Sequence, residues 1–186
     1  MTPGAPDWPL RTERLDLRPY LESDLEVFHA MRADPEVVRY LYEGPMTLDE
    51  AREKLAARLG PRTLAAEDDW LPAAIVERES GVMVGDAGLN WRSVEHRTGE
   101  VGFILDTAHQ GRGYATEAAR ALIDWGFRTF GLHRVIGRTE ARNAASARVL
   151  ERLGMRLEAH FVENEWVKGE WQSELQYAIL DREWAG

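Results

Sequence analysis

Residues 14–18, Arg-Leu-Asp-Leu-Arg, alternate polar and apolar positions, the two-residue period of a half-buried strand. Pro19 ends it, because proline brings no N–H to a ladder. The spacing then changes: Leu25, Phe28 and Met31 recur at three-residue steps behind the caps Ser23 and Asp24, which predicts a helix broken by Asp34-Pro35. A short helical piece follows over Glu36 to Leu41. Thr47-Leu-Asp-Glu50 has the form of a capping box and opens a helix to about Leu59, stopped by Gly60-Pro61. The stretch to Asp69 reads as a loop. Trp70 to Glu77 and Val82 to Trp91 read as two strands joined at Ser80-Gly81, and Glu100 to Leu105 as a third.

The strongest period lies further along. Ala115, Ala118, Ala119, Leu122, Ile123, Gly126, Phe127 and Phe130 keep helical spacing throughout, and Gly131 stands as the stop. Arg134 to Glu140 is a strand. Asn143 caps a helix through Leu153, which Gly154 ends. Met155 to Val167 and Trp171 to Leu180 are the last strands, turning at Lys168-Gly169. The order β-α-α-β-β-β-α-β-α-β-β predicts an α/β (α+β) fold: a central mixed, mostly antiparallel sheet of about seven strands flanked by about four helices. Residues 1–10, rich in Pro and Gly, are expected as a flexible tail, and 11–186 as a single domain.

Composition narrows the classes. The 186 residues suffice for one domain with a sizeable core and are short for two. A hydrophobic share of 44% and a charged share of 30% describe an ordinary soluble protein. There is no cysteine, which excludes disulfides, thiolate metal sites and a cysteine nucleophile; this fits a reducing, cytoplasmic setting. No signal peptide or membrane span is legible. The formal net charge of −9 disfavours a general nucleic-acid binder and suits a cationic substrate, although solubility alone also explains it. The five histidines show no metal-ligand spacing, so no metal is expected.

The chemistry concentrates in one segment. Val101-Gly-Phe-Ile-Leu105 leads through Asp106-Thr-Ala-His109 into Gln110-Gly-Arg-Gly-Tyr-Ala-Thr116 and the long helix. Gly111 and Gly113 remove side chains where backbone must curl closely round a ligand. The first helical turn has N–H groups without partners at the positive end of the dipole, which together make an anion site suited to a pyrophosphate. A P-loop would need Gly-Lys-Ser/Thr here and lacks its lysine; a dinucleotide fingerprint would need a third glycine where Thr116 stands. The remaining class is coenzyme A, beside the plain alternative that the glycines only form a tight turn.

Gln110-x-x-Gly113-x-Ala115 resembles the Gln/Arg-x-x-Gly-x-Gly/Ala signature of the GCN5-related N-acetyltransferase (GNAT) superfamily. The resemblance extends to its RimJ/RimL branch through Thr12-Glu-Arg-Leu-Asp-Leu-Arg-Pro19, Asp34-Pro35-Glu36-Val37, Arg142-Asn-Ala-Ala-Ser146 with Leu153-Gly154-Met155, and Gly169-Glu-Trp171 with Tyr177 and Glu183-Trp184. It departs at Gln172-Ser173, where that branch often carries Arg-Asp. The resemblance implies the GNAT fold and direct acetyl transfer from acetyl-CoA to an amine acceptor, a protein N-terminus, a lysine or a small amine. A monomer or homodimer is expected, and the charge and the lack of an apolar span add the expectation that it acts without nucleic acid or membrane. An idle fold that binds acyl-CoA as a sensor is the alternative. The implied cofactor contacts are Phe103, Ile104, Leu105, Gln110, Gly111, Arg112, Gly113, Tyr114, Ala115, Thr116, Asn143 and Ser146.

Three residues are candidates for catalysis. Alternation places Glu100, Gly102 and Ile104 on one face; by resemblance Glu100 is a base acting on the amine through water, and otherwise it is a solvated strand-end carboxylate. By resemblance, Asn143 contacts the pantetheine arm and Ser146 lies near the thioester sulfur, while both also suit the first turn of a helix. Tyr177 is on the last strand, which by resemblance borders the acceptor cleft; the alternative is that it packs in the core. Trp70, Trp91, Trp166 and Trp171 could wall that cleft or pack. His109 reads as a turn residue rather than a base.

Overall fold

The computed structural model describes residues 4–60 and 62–186; Met1, Thr2 and Pro3 of the expected tail, and Pro61 of the expected helix stop, lie outside the described residues. The elements are β1 (Leu10–Arg11), β2 (Leu15–Arg18), α1 (Leu25–Ala33), α2 (Pro35–Val38), α3 (Leu48–Ala56), β3 (Trp70–Glu77), β4 (Met83–Ser93) and β5 (Thr98–Leu105). Then come α4 (Tyr114–Trp125), β6 (Arg134–Glu140), α5 (Ala144–Arg152), β7 (Arg156–Val167) and β8 (Glu170–Leu180). The eight strands form one sheet in the order β1-β2-β3-β4-β5-β6-β8-β7. Every pairing is antiparallel except β5 with β6.

The hydrophobic spacing decides which helix covers which face. On β3 the alternate residues Ala73 and Ile75 pack with the apolar stripe Ala118 and Leu122 of α4. Ala74 and Val76 point the other way, onto Phe28 and Met31 of α1 and Ala51 and Leu55 of α3. Covered on both faces, β3 is apolar at nearly every position, as such strands are. Leu122 and Ile123 are fully buried, and each such side chain contributes about 1.5–3 kcal/mol by leaving water.

The one parallel pair creates the opening that matters. β5 and β6 bond only over Thr98 to Glu100 against Arg134 to Ile136. Beyond that, β5 stays with β4 to Leu105 and β6 stays with β8 to Glu140, so the two strands part. A wedge opens in the middle of the sheet, with backbone N–H and C=O groups facing into it.

Two expectations need correction. Residues 4–10 are not a loose tail: β1 pairs with β2, Gly4 bridges Leu64, and Trp8 and Leu10 pack against the core. The apolar Trp8 and Leu10 give this segment enough burial to offset ordering it, and it adds an eighth strand to the seven expected. The long helix also does not run evenly to Phe130. It ends at Trp125, continues as one wider π-helical turn over Gly126–Phe130, and stops at Gly131 with φ of +80°. That turn stacks Phe130 on Trp125, with ring centroids 5.3 Å apart.

Candidate active site

The wedge leads into a groove of about 590 Å³ beneath the N-terminal turn of α4. Ten of the twelve expected cofactor residues line it, from Phe103, Ile104 and Leu105 on β5 to Asn143 and Ser146 at the start of α5. The Gln110 amide donates to the Leu105 carbonyl at 3.2 Å and holds the loop against the end of β5. Gly113 is the residue before α4 and has φ of +85°, a conformation that side chains other than glycine resist. Among the described residues, nothing lies within 4 Å of where a side chain at Gly111 would begin. The Thr116 hydroxyl is buried and has no partner among the described residues. An unpaired hydroxyl among first-turn amides, with Arg148 and Arg152 also along the groove, fits a bound pyrophosphate.

Arg112 and Tyr114 do not line the groove. The Arg112 carbonyl accepts from Arg14 Nη1 at 2.9 Å, and the Tyr114 ring packs in the core beneath the Arg14 guanidinium, 4.7 Å from its centroid. The Tyr114 hydroxyl donates to Glu77. The turn at Gly113 leaves the Tyr114 hydroxyl and the Arg112 guanidinium, 4.0 Å away, both facing Glu77 at the end of β3.

A second cavity, of about 290 Å³, adjoins the first and shares Tyr40, Leu41, Phe103, Ile104, Asn143 and Ser146 with it. Its floor comes from strand register. Gly88 on β4 pairs with Gly102 on β5, and the Trp70 indole lies across both: a side chain at Gly88 would stand 2.3 Å from its ring, and one at Gly102 3.3 Å. Trp70 thus walls the cavity as one of the tryptophan readings foresaw. Trp91 is core, and Trp166 and Trp171 form an exposed pair 5.2 Å apart. Tyr42, after α2, and Glu165 of β7 also line this cavity.

Five carboxylates and three guanidiniums line this trough, and they segregate. At one end Glu100 accepts from Arg138 Nε at 3.0 Å and lies 3.4 Å from Arg92 Nε. Its two oxygens are committed to guanidiniums, which weighs against its role as the base. Glu174 of β8 is beside it, reached by Arg138 only at 3.5 Å. Burial pushes the Glu174 carboxyl above the ordinary range; Arg138 opposes this, and the nearby Glu100 and Glu165 add to it. At the other end Asp86 receives both Arg32 and Arg58. Burial disfavours the Asp86 carboxylate, yet the two guanidiniums outweigh burial and hold its pKa below the usual aspartate value.

Sequence reasoning missed Glu174 and Asp86. A signal for the first existed: on β8 the polar Gln172 and Glu174 fall at one alternate set and the apolar Leu175, Tyr177 and Ile179 at the other. The same alternation corrects Tyr177. It faces α5, is 3% exposed, and its hydroxyl donates to Glu151 Oε1 at 3.3 Å, away from both cavities. Asn143 caps α5, its Oδ1 accepting from the Ser146 N–H at 3.1 Å, and Ser146 stands where the two cavities meet. His109 bonds Asp106 at 2.8 Å within its own turn, as a turn residue does.

A family model described as an acetyltransferase (GNAT) domain matches residues 14–156. The uncharacterized N-acetyltransferase YnaD of Bacillus subtilis (strain 168) is 30% identical over 175 residues, 94% of this chain and 98% of that protein. A crystal structure of a GNAT-family acetyltransferase from Bacillus anthracis superposes with a TM-score of 0.84 at 31% identity, covering 93% of this chain and 98% of the other. The spermidine N-acetyltransferase of Vibrio cholerae, solved with CoA and spermine, shares the fold at a TM-score of 0.78 and 22% identity, over 94% and 100% of the two chains.

Proposed function

The chain belongs to the GNAT acetyltransferase family and is an acetyl-CoA-dependent N-acetyltransferase; we propose that it acetylates a primary amine held in the Trp70-floored trough, by direct transfer within a ternary complex. The observation that carries this reading is the junction of the two cavities at Phe103, Asn143 and Ser146. An amine in one and a thioester in the other meet there without a protein nucleophile. Acetyl-CoA supplies the acetyl group as an activated thioester. The loop Gln110 to Thr116 holds its pyrophosphate, with the Thr116 hydroxyl and the first-turn amides of α4 as donors.

Gly113→Val tests the loop. A β-branched residue at φ of +85° strains the turn by about 1–3 kcal/mol and narrows the phosphate approach. Calorimetry should show acetyl-CoA affinity reduced by tenfold or more, on the order of one lost charged hydrogen bond, with the protein still folded. Unchanged affinity would detach this loop from the cofactor.

An amine of ordinary pKa arrives protonated and must lose its proton to attack. Glu174 takes it: its carboxyl lies in the trough, is raised in pKa, and has only one long contact to satisfy. Ser146 donates a hydrogen bond to the departing sulfur. Ser146→Ala should therefore lower the single-turnover rate about tenfold, with cofactor affinity retained, because the bond matters chiefly in the transition state. Normal single-turnover rates would reduce Ser146 to a helix residue.

The function as a whole is tested by thiol release from acetyl-CoA with a panel of primary amines. Tight acetyl-CoA binding with no release for any amine would favour the sensor reading instead. The acceptor class offered by the Vibrio cholerae relative, a polyamine, belongs in that panel.

A further inference from the structure

Binding a cation accounts for only one end of the trough. At the other end Arg32 and Arg58 both donate to the same oxygen of Asp86, so two guanidiniums share one carboxylate. The pair is deeply enclosed: the Arg32 and Asp86 side chains are 4% and 5% exposed and Arg58 is 16% exposed. Arg32 Nε is buried and has no hydrogen-bond partner among the described residues. The Phe28 ring lies 5.3 Å from one guanidinium and 5.6 Å from the other, which softens their charge but offers their planar N–H groups no oxygen. A buried excess of positive charge with an unused donor, opening on a ligand cavity, is completed by an anion.

Resting on the reading that the trough holds an amine, we infer that this end binds a carboxylate or similar anion, so that the acceptor is an amine that also carries a negative group. Register sets the scale. Asp86 pairs with Ile104 and Asn90 with Glu100, so the basic and acidic ends stand four residues apart on β4, about 13 Å at a strand's rise. The Trp70 ring over Gly88 lies between them and suits an apolar linker. The amine faces Glu174 and Ser146, and the anion faces Arg58 and Arg32. A diamine would set its second cation against the guanidinium pair. Amino acids with a distal amine and short peptides with a free N-terminus share the required chemistry.

The test compares ligands that differ only at the far end. Calorimetry on the protein saturated with CoA would measure 6-aminohexanoate, hexylamine and 1,6-diaminohexane, and triglycine against its C-terminal amide. The carboxylate ligand should bind about tenfold or more tightly than its neutral and cationic counterparts, the scale of hydrogen bonds to a charged group. Whichever of the aminohexanoate and triglycine pairs shows the larger difference identifies the source. In Arg58→Met the preference should fall to near unity, leaving Arg32 and Asp86 as a one-to-one pair; Arg58→Lys, which keeps the charge, should retain part of it. Should the methionine variant not fold, the lysine variant and the wild-type ligand pairs still decide. Equal affinity for carboxylate and neutral ligands, tighter binding of the diamine, or a preference untouched in Arg58→Met would each overturn the anion site. Thiol release measured on the same ligands separates the two levels: release without a carboxylate preference sinks the anion site alone, and a preference without release supports the anion site while sinking the transferase reading.

Discussion

Glu174→Gln is expected to lower kcat by about 10²–10⁴-fold, the range for losing a general base, while acetyl-CoA affinity holds. The change is nearly isosteric and keeps a group beside Arg138, so packing of β8 should survive. The pH profile is the sharper readout. In the wild type, activity should fall as pH drops through the raised Glu174 value, because the base becomes protonated. That acid limb should vanish in the glutamine variant. Glu100→Gln provides the contrast: with its oxygens held by Arg138 and Arg92, its loss should disturb the pocket yet leave the acid limb in place. A retained acid limb in Glu174→Gln, or its disappearance in Glu100→Gln, would return the base to Glu100.

Asp86→Ala should be the most destabilising single change in the trough. It leaves Arg32 and Arg58 buried without a counter-charge, a situation that costs about 3–5 kcal/mol. Against a typical total of about 5–15 kcal/mol, denaturant unfolding should show the loss as a large fall in midpoint with little change in slope. Replacing all three members with apolar residues of similar volume should recover most of the loss, since a well-packed apolar substitute for a buried ion cluster is often neutral or better. Failure of the alanine variant to lose stability would mean that water or another group compensates the arginines. Because the Asp86 pKa is depressed on folding, its contribution is present in full above the unfolded aspartate value of about 3.9 and is lost as pH falls further, through the folded value.

Local signals along the chain determine most of the elements and the loop from Gln110 to Thr116. The periods of α4 and β3, the capping box at Thr47, and the stops at Gly131 and Gly154 are short-range facts, and the elements they predict are observed to within a few residues. The run from Gln110 to Thr116 is also self-contained, because a turn and a helix start lie side by side in sequence; that is why ten of twelve expected cofactor positions reach the groove. Arg112 and Tyr114 stand apart from the groove because the direction of a side chain at a left-handed turn depends on what it meets, here Glu77 at the end of β3. The acceptor trough is different in kind. Glu100, Arg138 and Glu174 come from three strands that meet only because β6 inserts between β5 and β8. Asp86, Arg32 and Arg58 come from a strand, a helix and a loop up to 54 residues apart. Whether Tyr177 or Glu174 faced the cavity turned on which side of β8 the helix α5 covers, and a period of two names the pairs of alternatives without choosing between them. The strands, the helices and the turn from Gln110 to Gly113 were thus legible along the chain, each set by neighbours within about a helical turn or two. Which charges share the trough could be read only from the folded chain, because that follows from strand order and from which face of the sheet each helix buries.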